Sequence, residues 1–326
     1  MVEAKKSISV VLPNYNGKNL MEMYIPSTIE ALNFSKIDYE FIIIDDCSTD
    51  NSIAFIEETY PDIIVLKNKS NNGFSFTCNQ GIQTATKDLI FLLNSDVKLT
   101  PNYFENQLHY FNLESTFGVM GRIMNFDGKR IEDAARAPYY KGAKFKANTF
   151  YYVENSKEPM LTCYLSGANA LINRRKLVEL SGFNEIYSPF YFEDFDLGLR
   201  AWQMDWFLYY EHQSICYHQV SSSTNKMNKS NFVKIIYHRN SLILQSIHLK
   251  GIRRKLWFLQ VFTSTLTGHL IKGEFWVFKS IHLFLNMHNE ILKSRSAIGN
   301  ISGKRNLDDI ISIIKQSLEG KSIKWL

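Results

Sequence analysis

Residues 89–97, LIFLLNSDV, join an unbroken apolar strand to a carboxylate just beyond the end of that strand, and this pattern is the clearest indication of the fold. Three similar apolar runs precede it at residues 8–12, 40–44 and 63–66, with helical patterns between them. Continuous apolar runs that alternate with helices predict a mostly parallel sheet covered on both faces. Ligands bind such sheets beyond the carboxyl ends of the strands. We therefore expect an α/β domain with its site along one edge of the sheet.

Polar side chains follow the ends of three of these predicted strands. Asn14 follows the first, Asp45 and Asp46 follow the second, and Asp96 follows the fourth. A parallel arrangement brings these positions together at one edge. The sequence thus predicts a polar, acidic ligand site there.

A second acidic signature, SPFYFEDFDLGLRAW, lies about a hundred residues further on, at residues 188–202. It places Glu193, Asp194 and Asp196 at the start of a predicted helix. Acidic residues are common in the first turn of a helix because they stabilise its dipole. Clustered carboxylates also raise one another's pKa, which suits a general base that works near neutral pH.

Together with ISVVLPNYNG at residues 8–17 and FIIIDDCSTDNS at residues 41–52, these segments resemble the inverting nucleotide-sugar transferases of glycosyltransferase family 2. The resemblance covers residues 8–223 in the family's order and is closest to its rhamnosyltransferase-like members. It implies a GT-A fold, which is Rossmann-like. It also implies transfer of one hexose or deoxyhexose from a UDP- or dTDP-type donor to a hydroxyl of a glycan or lipid-linked acceptor, in surface polysaccharide synthesis. The Gln-x-x-Arg-Trp motif of the processive synthases is absent from the sequence.

The resemblance implies a divalent cation at the donor diphosphate. Asn94, Ser95 and Asp96 stand where the family usually has Asp-x-Asp, so Asp96 is the expected charged ligand and Asn94 a neutral one. His218 follows a predicted strand at the place where several relatives supply a histidine to the same cation. Oxygen ligands suit Mg²⁺ or Mn²⁺, and an imidazole favours Mn²⁺.

The nucleotide is expected to contact the motif of Asp45 and Asp46, in which a carboxylate accepts the imide N–H of the base. Which of the two does so stays open. The family uses further residues near the base and ribose, and in this sequence they are Pro13, Asn14, Asn72, Gly73 and Asn79.

On the acceptor side, Asp194 aligns with the family's general base, and Glu193 and Asp196 are expected to tune and orient it. The remaining expected acceptor contacts are Ser166, Gly167, Ala168 and Tyr191.

The domain prediction is a catalytic domain at residues 1–225 and a helical C-terminal appendage at residues 226–326. Within the first, residues 1–125 form the nucleotide-sugar half and residues 126–225 the acceptor half. Residues 127–158 show weak periodicity, which predicts a long loop near the acceptor entrance.

Charge is distributed unevenly along the chain. Residues 226–326 hold 17 of the 37 lysines and arginines but only 5 of the 32 acidic residues. A basic segment rich in Trp, Phe, Leu and Ile suits an anionic membrane surface, and a solvated face on packed helices is the equal alternative. No nucleic-acid-binding motif occurs, so nucleic acid is not an expected partner.

The four cysteines have no CxxC spacing, no secretory signal precedes the first strand, and no apolar run is long enough to span a bilayer. These features predict a cytoplasmic protein, either free or peripheral on the inner membrane face.

Two other functions compete with the transferase. A sugar-phosphate nucleotidyltransferase would need a Gly-rich loop with Arg and Lys after the first strand, and this sequence lacks it. A non-catalytic nucleotide-sugar or glycan-binding subunit is suggested by Asn94 in place of a carboxylate. The presence of Asp96, Asp194 and His218 argues against that alternative.

Overall fold

The structure of the protein, a computed structural model, describes residues 6–154, 158–219, 231–300 and 305–326. The predicted domain boundary at residue 225 and the end of the family resemblance at residues 220–223 lie outside the described residues. The division into two domains therefore stays a proposal.

A ten-stranded mixed sheet forms the centre of the described chain. Its main path runs β10-β12-β6-β11-β4-β1-β2-β3, β5 pairs with β12, and β7 pairs with β6. Strands β1 to β4 are mutually parallel where they pair, as the apolar runs predict, whereas β11 runs antiparallel to β4 and β6. A second sheet has the order β13-β9-β8. The strands are β1 Ile8–Asn14, β2 Tyr39–Asp45, β3 Ile64–Lys67, β4 Leu89–Leu93, β5 Val97–Leu99, β6 Thr116–Asn125, β7 Ile131–Asp133, β8 Ala135–Lys141, β9 Lys144–Val153, β10 Met160–Leu161, β11 Asn169–Asn173, β12 Phe207–His218 and β13 Ile323–Trp325.

Helices cover both faces of the central sheet and make up most of the described C-terminal region. They are α1 Lys18–Phe34, α2 Ser52–Thr59, α3 Phe74–Thr84, α4 Arg174–Glu179, α5 Glu193–Gln203, α6 Asn231–His248, α7 Gly251–Gln260, α8 Leu266–Ile271, α9 Trp276–Asn286, α10 His288–Asn300 and α11 Leu307–Ser317. Two 3₁₀ turns, Leu108–Asn112 and Glu185–Tyr187, and one π-helical turn, Val261–Thr265, complete the regular structure.

Alternation along the strands divides the buried side chains into two cores. On β1, Val10 and Leu12 pack with Ile25 of α1 on one face, while Val11 packs with Ile82 of α3 on the other. The core that contains Ile25 lies on the α1 face of the sheet. The core that contains Ile82 lies on the α3 face and continues into α5, α6 and the C-terminal helices. The fold is therefore the α/β architecture predicted from the strand pattern, with added C-terminal helices.

The prediction of a long loop at residues 127–158 was wrong. Most of the described part of this segment forms β7, β8 and β9, and β8 and β9 make an antiparallel hairpin. Buried Phe145 and Ala147 alternate with the more exposed Lys144 and Lys146, which is the two-residue period of a strand. The aromatic and basic mixture concealed that period in the sequence.

Candidate functional site

A cleft of about 450 Å³ opens at the carboxyl ends of β1, β2 and β4. It is formed by strand ends, by the loop that precedes α3, and by the segment that leads into α5. Six of the donor-side residues predicted from the sequence line it: Pro13, Asn14, Asp46, Gly73, Asn94 and Asp96. The parallel topology therefore brings these positions together.

Asp46 organises the loop before α3. Its carboxylate accepts hydrogen bonds from the backbone N–H of Asn72 at 3.0 Å and of Gly73 at 2.9 Å. Gly73 has a φ of 86°, and a Cβ there would lie 2.9 Å from the Cα of Pro189. Only glycine fits such a position without strain. The loop is thus held between the strand end and the segment that enters α5.

Asp45 lies beneath the cleft and is almost fully buried. Its carboxylate accepts hydrogen bonds from the Asn14 amide at 2.8 Å and from the Ser48 N–H at 2.9 Å. Asp46, rather than Asp45, lines the cleft. Asn79 is not among the lining residues, because its side-chain amide binds the backbone N–H and C=O of Phe183 at 2.8 and 2.9 Å.

Asp96 carries the features of a cation ligand. One carboxylate oxygen, Oδ2, lies 3.2 Å from His218 Nε2, and the other, Oδ1, is buried without a hydrogen-bond partner. The opposite ring nitrogen, His218 Nδ1, lies 2.9 Å from Glu132. A carboxylate of this kind fixes the orientation of a metal-binding imidazole. The hydrogen bond that His218 donates to Asp96, together with the charges of Asp96 and Glu132, raises the pKa of His218 to about 9. A cation must therefore displace the proton of Nε2 to bind there.

Asp96 and His218 fit one face of a divalent cation. No group of three or more His, Cys, Asp or Glu ligands is assembled within the described ranges. Mg²⁺ sites commonly use one or two carboxylates and complete the shell with substrate phosphates and water. The unpartnered oxygen of Asp96 and the orienting contact from Glu132 match such a partial site. Sequence patterns did not point to Glu132, because it lies 86 residues from His218 in the segment predicted to be a loop.

Glu193 and Asp194 begin α5, and few hydrogen bonds balance the negative charge of their carboxylates. Glu193 is buried, and its Oε2 has no hydrogen-bond partner. Burial and the neighbouring Asp194 hold the pKa of Glu193 well above its ordinary value. Asp194 accepts a hydrogen bond from the Phe195 N–H at 2.7 Å, and burial raises its pKa to about 6 even though Arg136 opposes the rise. A carboxylate with that pKa can accept a proton near neutral pH.

Asp196 has different surroundings. Its fully buried carboxylate binds Arg200 at 2.7 Å, His248 at 2.8 Å and Tyr187 at 3.1 Å. Burial alone would raise the pKa of Asp196, but Arg200 and His248 outweigh it and keep the pKa below its usual value. The carboxylate therefore joins α5 to the C-terminal helix α6.

The segment before α5 has an uncommon backbone. Tyr191 and Phe192 are non-glycine residues with φ values of 75° and 78°. The Asn240 side chain on α6 donates hydrogen bonds to the carbonyl oxygens of Tyr187, Phe190 and Tyr191, at 2.6 to 2.9 Å. Strained backbone held by its surroundings is concentrated at functional sites. Sequence patterns did not indicate Asn240, because its partners lie about 50 residues earlier.

The predicted acceptor floor, residues 166–168, contacts residues of the donor cleft. The Asn94 N–H donates to the Ala168 carbonyl at 3.3 Å, and Ser166 is buried. A Cβ on Gly167 would lie 3.1 Å from the ring of Phe74, which itself lines the cleft. These contacts place the floor beside the donor cleft, and the assigned acceptor role stays a prediction.

A protein-family model described as Glycosyl transferase family 2 matches residues 9–181, more than half of the chain. The chain belongs to glycosyl transferase family 2. A hyaluronan synthase of Pasteurella multocida is 26% identical over 251 residues, which cover 75% of this chain and 23% of that protein. This chain therefore spans less than a quarter of the length of that family 2 relative.

Two solved structures resemble this fold over three quarters or more of the chain. GalNAc-T7 with UDP, GalNAc and Mn²⁺ has a TM-score of 0.59 and 16% identity, and the match covers 76% of this chain and 48% of that one. Residues 1–349 of TarS from Staphylococcus aureus, in complex with UDP-GlcNAc, have a TM-score of 0.57 and 12% identity over 95% of this chain and 92% of that one. These neighbours confirm the predicted GT-A fold with C-terminal helices.

Proposed function

We propose that this chain is an inverting, cation-dependent glycosyltransferase. It moves one hexose or deoxyhexose from a UDP- or dTDP-type donor to a hydroxyl of a glycan or lipid-linked acceptor, in surface polysaccharide synthesis. The observation that carries the proposal is the presence of two carboxylates in different surroundings, one suited to bind a cation and the other suited to accept a proton. Asp96 lines the donor cleft and has one buried oxygen without a hydrogen-bond partner, and Asp194 has its pKa raised to about 6 at the start of the adjoining helix. The UDP- and Mn²⁺-containing neighbour supports the donor and cation classes.

On the donor side, the nucleoside occupies the cleft between Asn14 and the loop of Asn72 and Gly73, and Asp46 fixes that loop. Asp96 and His218 hold the cation, and Asn94 adds a neutral oxygen beside them. The cation supplies charge stabilisation for the departing diphosphate. Glu132 keeps the His218 ring in its binding orientation.

On the acceptor side, the carboxylate of Asp194 takes the proton of the attacking hydroxyl. The oxygen of that hydroxyl forms a bond to the anomeric carbon, and the bond from that carbon to the diphosphate oxygen breaks. A single displacement inverts the anomeric configuration. Burial and the charge of Asp133 raise the pKa of Asp194, whose own charge raises the pKa of Glu193. Asp196 anchors the helix that carries both.

The test uses water as a slow substitute acceptor. Wild-type protein with Mn²⁺ and a panel of α-linked UDP- and dTDP-hexoses is followed by ¹H NMR, and we expect the β-anomer of the free sugar to appear first. Asp194→Asn should lower this rate by about 10² to 10⁴. The exposed Asp62→Asn should retain it. Initial release of the α-anomer, or equal rates in wild type and Asp194→Asn, would refute the mechanism.

We also propose that the C-terminal region holds the protein at an anionic membrane surface. Ile252, Leu256 and Leu259 on α7 are 69%, 51% and 61% exposed, and their spacing places them on one side of the helix. The basic Arg254 and Lys255 lie on the same helix. Apolar residues beside cations suit the interface of anionic lipids. In the described ranges, no helix has the length and apolar character required to cross a bilayer.

A further inference from the structure

A second cavity, of about 180 Å³, lies between β9, α5 and α6, outside the donor cleft. Three cationic side chains line it: Arg136, Lys144 and Lys146. Its other polar lining groups within the described chain are the amides of Asn148 and Gln245 and the hydroxyls of Ser241 and Tyr237, with no carboxylate among them. The lining residues of the cavity therefore carry a net positive charge.

This cationic cavity adjoins the candidate base. Phe192 and Phe195 line it, and they flank Asp194 on α5. The charges of Arg136 and Asp194 both act on the hydroxyl of Tyr237, another lining residue. A group bound in the cavity would thus lie close to Asp194.

The two lysines in the cavity have no paired carboxylate, whereas Arg136 faces the charges of Asp133 and Asp194. Across the described residues, neither lysine ammonium forms a salt bridge, and burial together with the charge of Lys146 lowers the pKa of Lys144 to about 8. Arg136 is paired with Asp133 at 3.2 Å, yet its Nε is buried without a hydrogen-bond partner. Its guanidinium lies 3.9 Å from the ring centre of Tyr164, which fixes its position. Buried cations without partners are costly unless a ligand supplies the missing charge.

We propose that the cationic cavity binds an anionic group of the acceptor, either a phosphodiester or a sugar carboxylate, and so selects acidic acceptors. Arg136 offers a planar donor pair and the two lysines offer point charges, which is the chemistry that recognises both anions. The aromatic rings of Phe192 and Phe195 add an apolar wall that a sugar ring can contact. The inference rests on the proposed function, because it takes Asp194 as the base that faces the acceptor.

The test measures binding of dimethyl phosphate, methyl glucuronide and neutral methyl glucoside by ligand-observed NMR. Wild type is compared with Lys144→Met/Lys146→Gln, which keeps most of each aliphatic stem. The matched control is Lys279→Met/Lys293→Gln, because both of these lysines are exposed on C-terminal helices away from the cavity. Thermal unfolding of each variant and of the single variant Lys144→Met verifies folding. Binding of UDP with Mn²⁺ is measured on the same samples.

We expect at least one of the two anions to bind wild type and the control equally, and to bind the cavity variant about tenfold or more weakly. The anion that binds more tightly distinguishes phosphodiester from carboxylate. Equal anion binding by the cavity variant, or no preference for anions over methyl glucoside, would overturn the proposal. Retained UDP binding in that case would leave the donor site intact, whereas anion binding without any UDP binding would contradict the proposed function alone.

Discussion

Three carboxylates within four residues have different surroundings in this protein. Asp196 has three polar partners, and Glu193 has an oxygen with none. Asp194 lies between them in sequence and has its pKa raised to about 6. The family resemblance predicted Asp194 as the base, with Glu193 and Asp196 to tune and orient it. The sequence could not show the different surroundings of the three carboxylates, because His248 and Arg136 are distant along the chain. Opposite shifts in pKa within one turn of helix separate the structural carboxylate from the candidate base.

The raised pKa of Asp194 predicts a gain in stability when its charge is removed. Its pKa is about 6 in the folded protein against an ordinary 3.8, so the folded state binds this proton more tightly than the unfolded state. The ionised carboxylate therefore lowers the free energy of unfolding by its full amount above about pH 6, and this effect is absent below about pH 3.8. Asp194→Asn should raise the free energy of unfolding by about 1 to 3 kcal/mol at pH 8 and by much less at pH 4.

Urea unfolding of wild type, Asp194→Asn and the exposed Asp62→Asn at both pH values measures this effect. The control should show no such gain. A loss of stability in Asp194→Asn at pH 8 would mean that the carboxylate is compensated in the folded protein and is not poised as a base.

At the scale of elements, α5 and α6 act together at the site. His248 of α6 binds Asp196 of α5, and Asn240 of α6 holds the backbone of the segment that leads into α5. The strand pattern predicted β1 to β4 within about two residues, because continuous apolar runs are a local signal. The β8–β9 hairpin was missed because mixed aromatic and basic residues concealed its two-residue period. Glu132 and Asn240 were missed because their partners lie far away along the chain.

Loss of the Asp196 carboxylate should destabilise the protein strongly. Asp196→Ala leaves Arg200 buried without its partner, and we expect a cost of about 3 to 5 kcal/mol. Because the pKa of Asp196 is lowered in the fold, its contribution is present at neutral pH and lost as the pH falls through that lowered value. Urea unfolding at pH 7.5 measures the change.

The matched control is Asp205→Ala, just beyond the end of the same helix. Asp205 pairs with Arg305 at 3.2 Å, with its side chain 37% exposed, and its φ of 62° disfavours alanine, so the loss should be about 1 to 2 kcal/mol. Similar losses in the two variants would show that Asp196 does not anchor α5 to α6.

Across the whole molecule, the described C-terminal helices have one side packed against the core and one side exposed to solvent. Their inner side packs into the core that also contains α5, and their outer side exposes apolar residues. Composition predicted the basic character of this region, since that needs no contact information. It could not show that α6 supplies Asn240 and His248 to the site.

The exposed side of α7 should bind anionic membranes. Ile252→Ser/Leu256→Ser/Leu259→Ser should abolish co-sedimentation with phosphatidylglycerol vesicles, since binding scales with the apolar area that enters the interface. The control Met23→Ser/Phe34→Ser/Leu113→Ser removes residues of comparable exposure elsewhere and should leave binding unchanged. Equal sedimentation of all three proteins would refute the membrane surface on α7.

The central claim is that Asp96 holds a cation against the diphosphate of a nucleotide. Calorimetric titration of UDP, dTDP and GDP into wild type and Asp96→Asn, each with and without Mn²⁺, tests it most directly. We predict that one uracil or thymine nucleotide binds wild type at least about tenfold more tightly with Mn²⁺, and that Asp96→Asn loses this gain. Failure of all three nucleotides to bind wild type would contradict the assignment of a donor site. A Mn²⁺-dependent gain in affinity that persists in Asp96→Asn would contradict the assignment of Asp96 as the cation ligand.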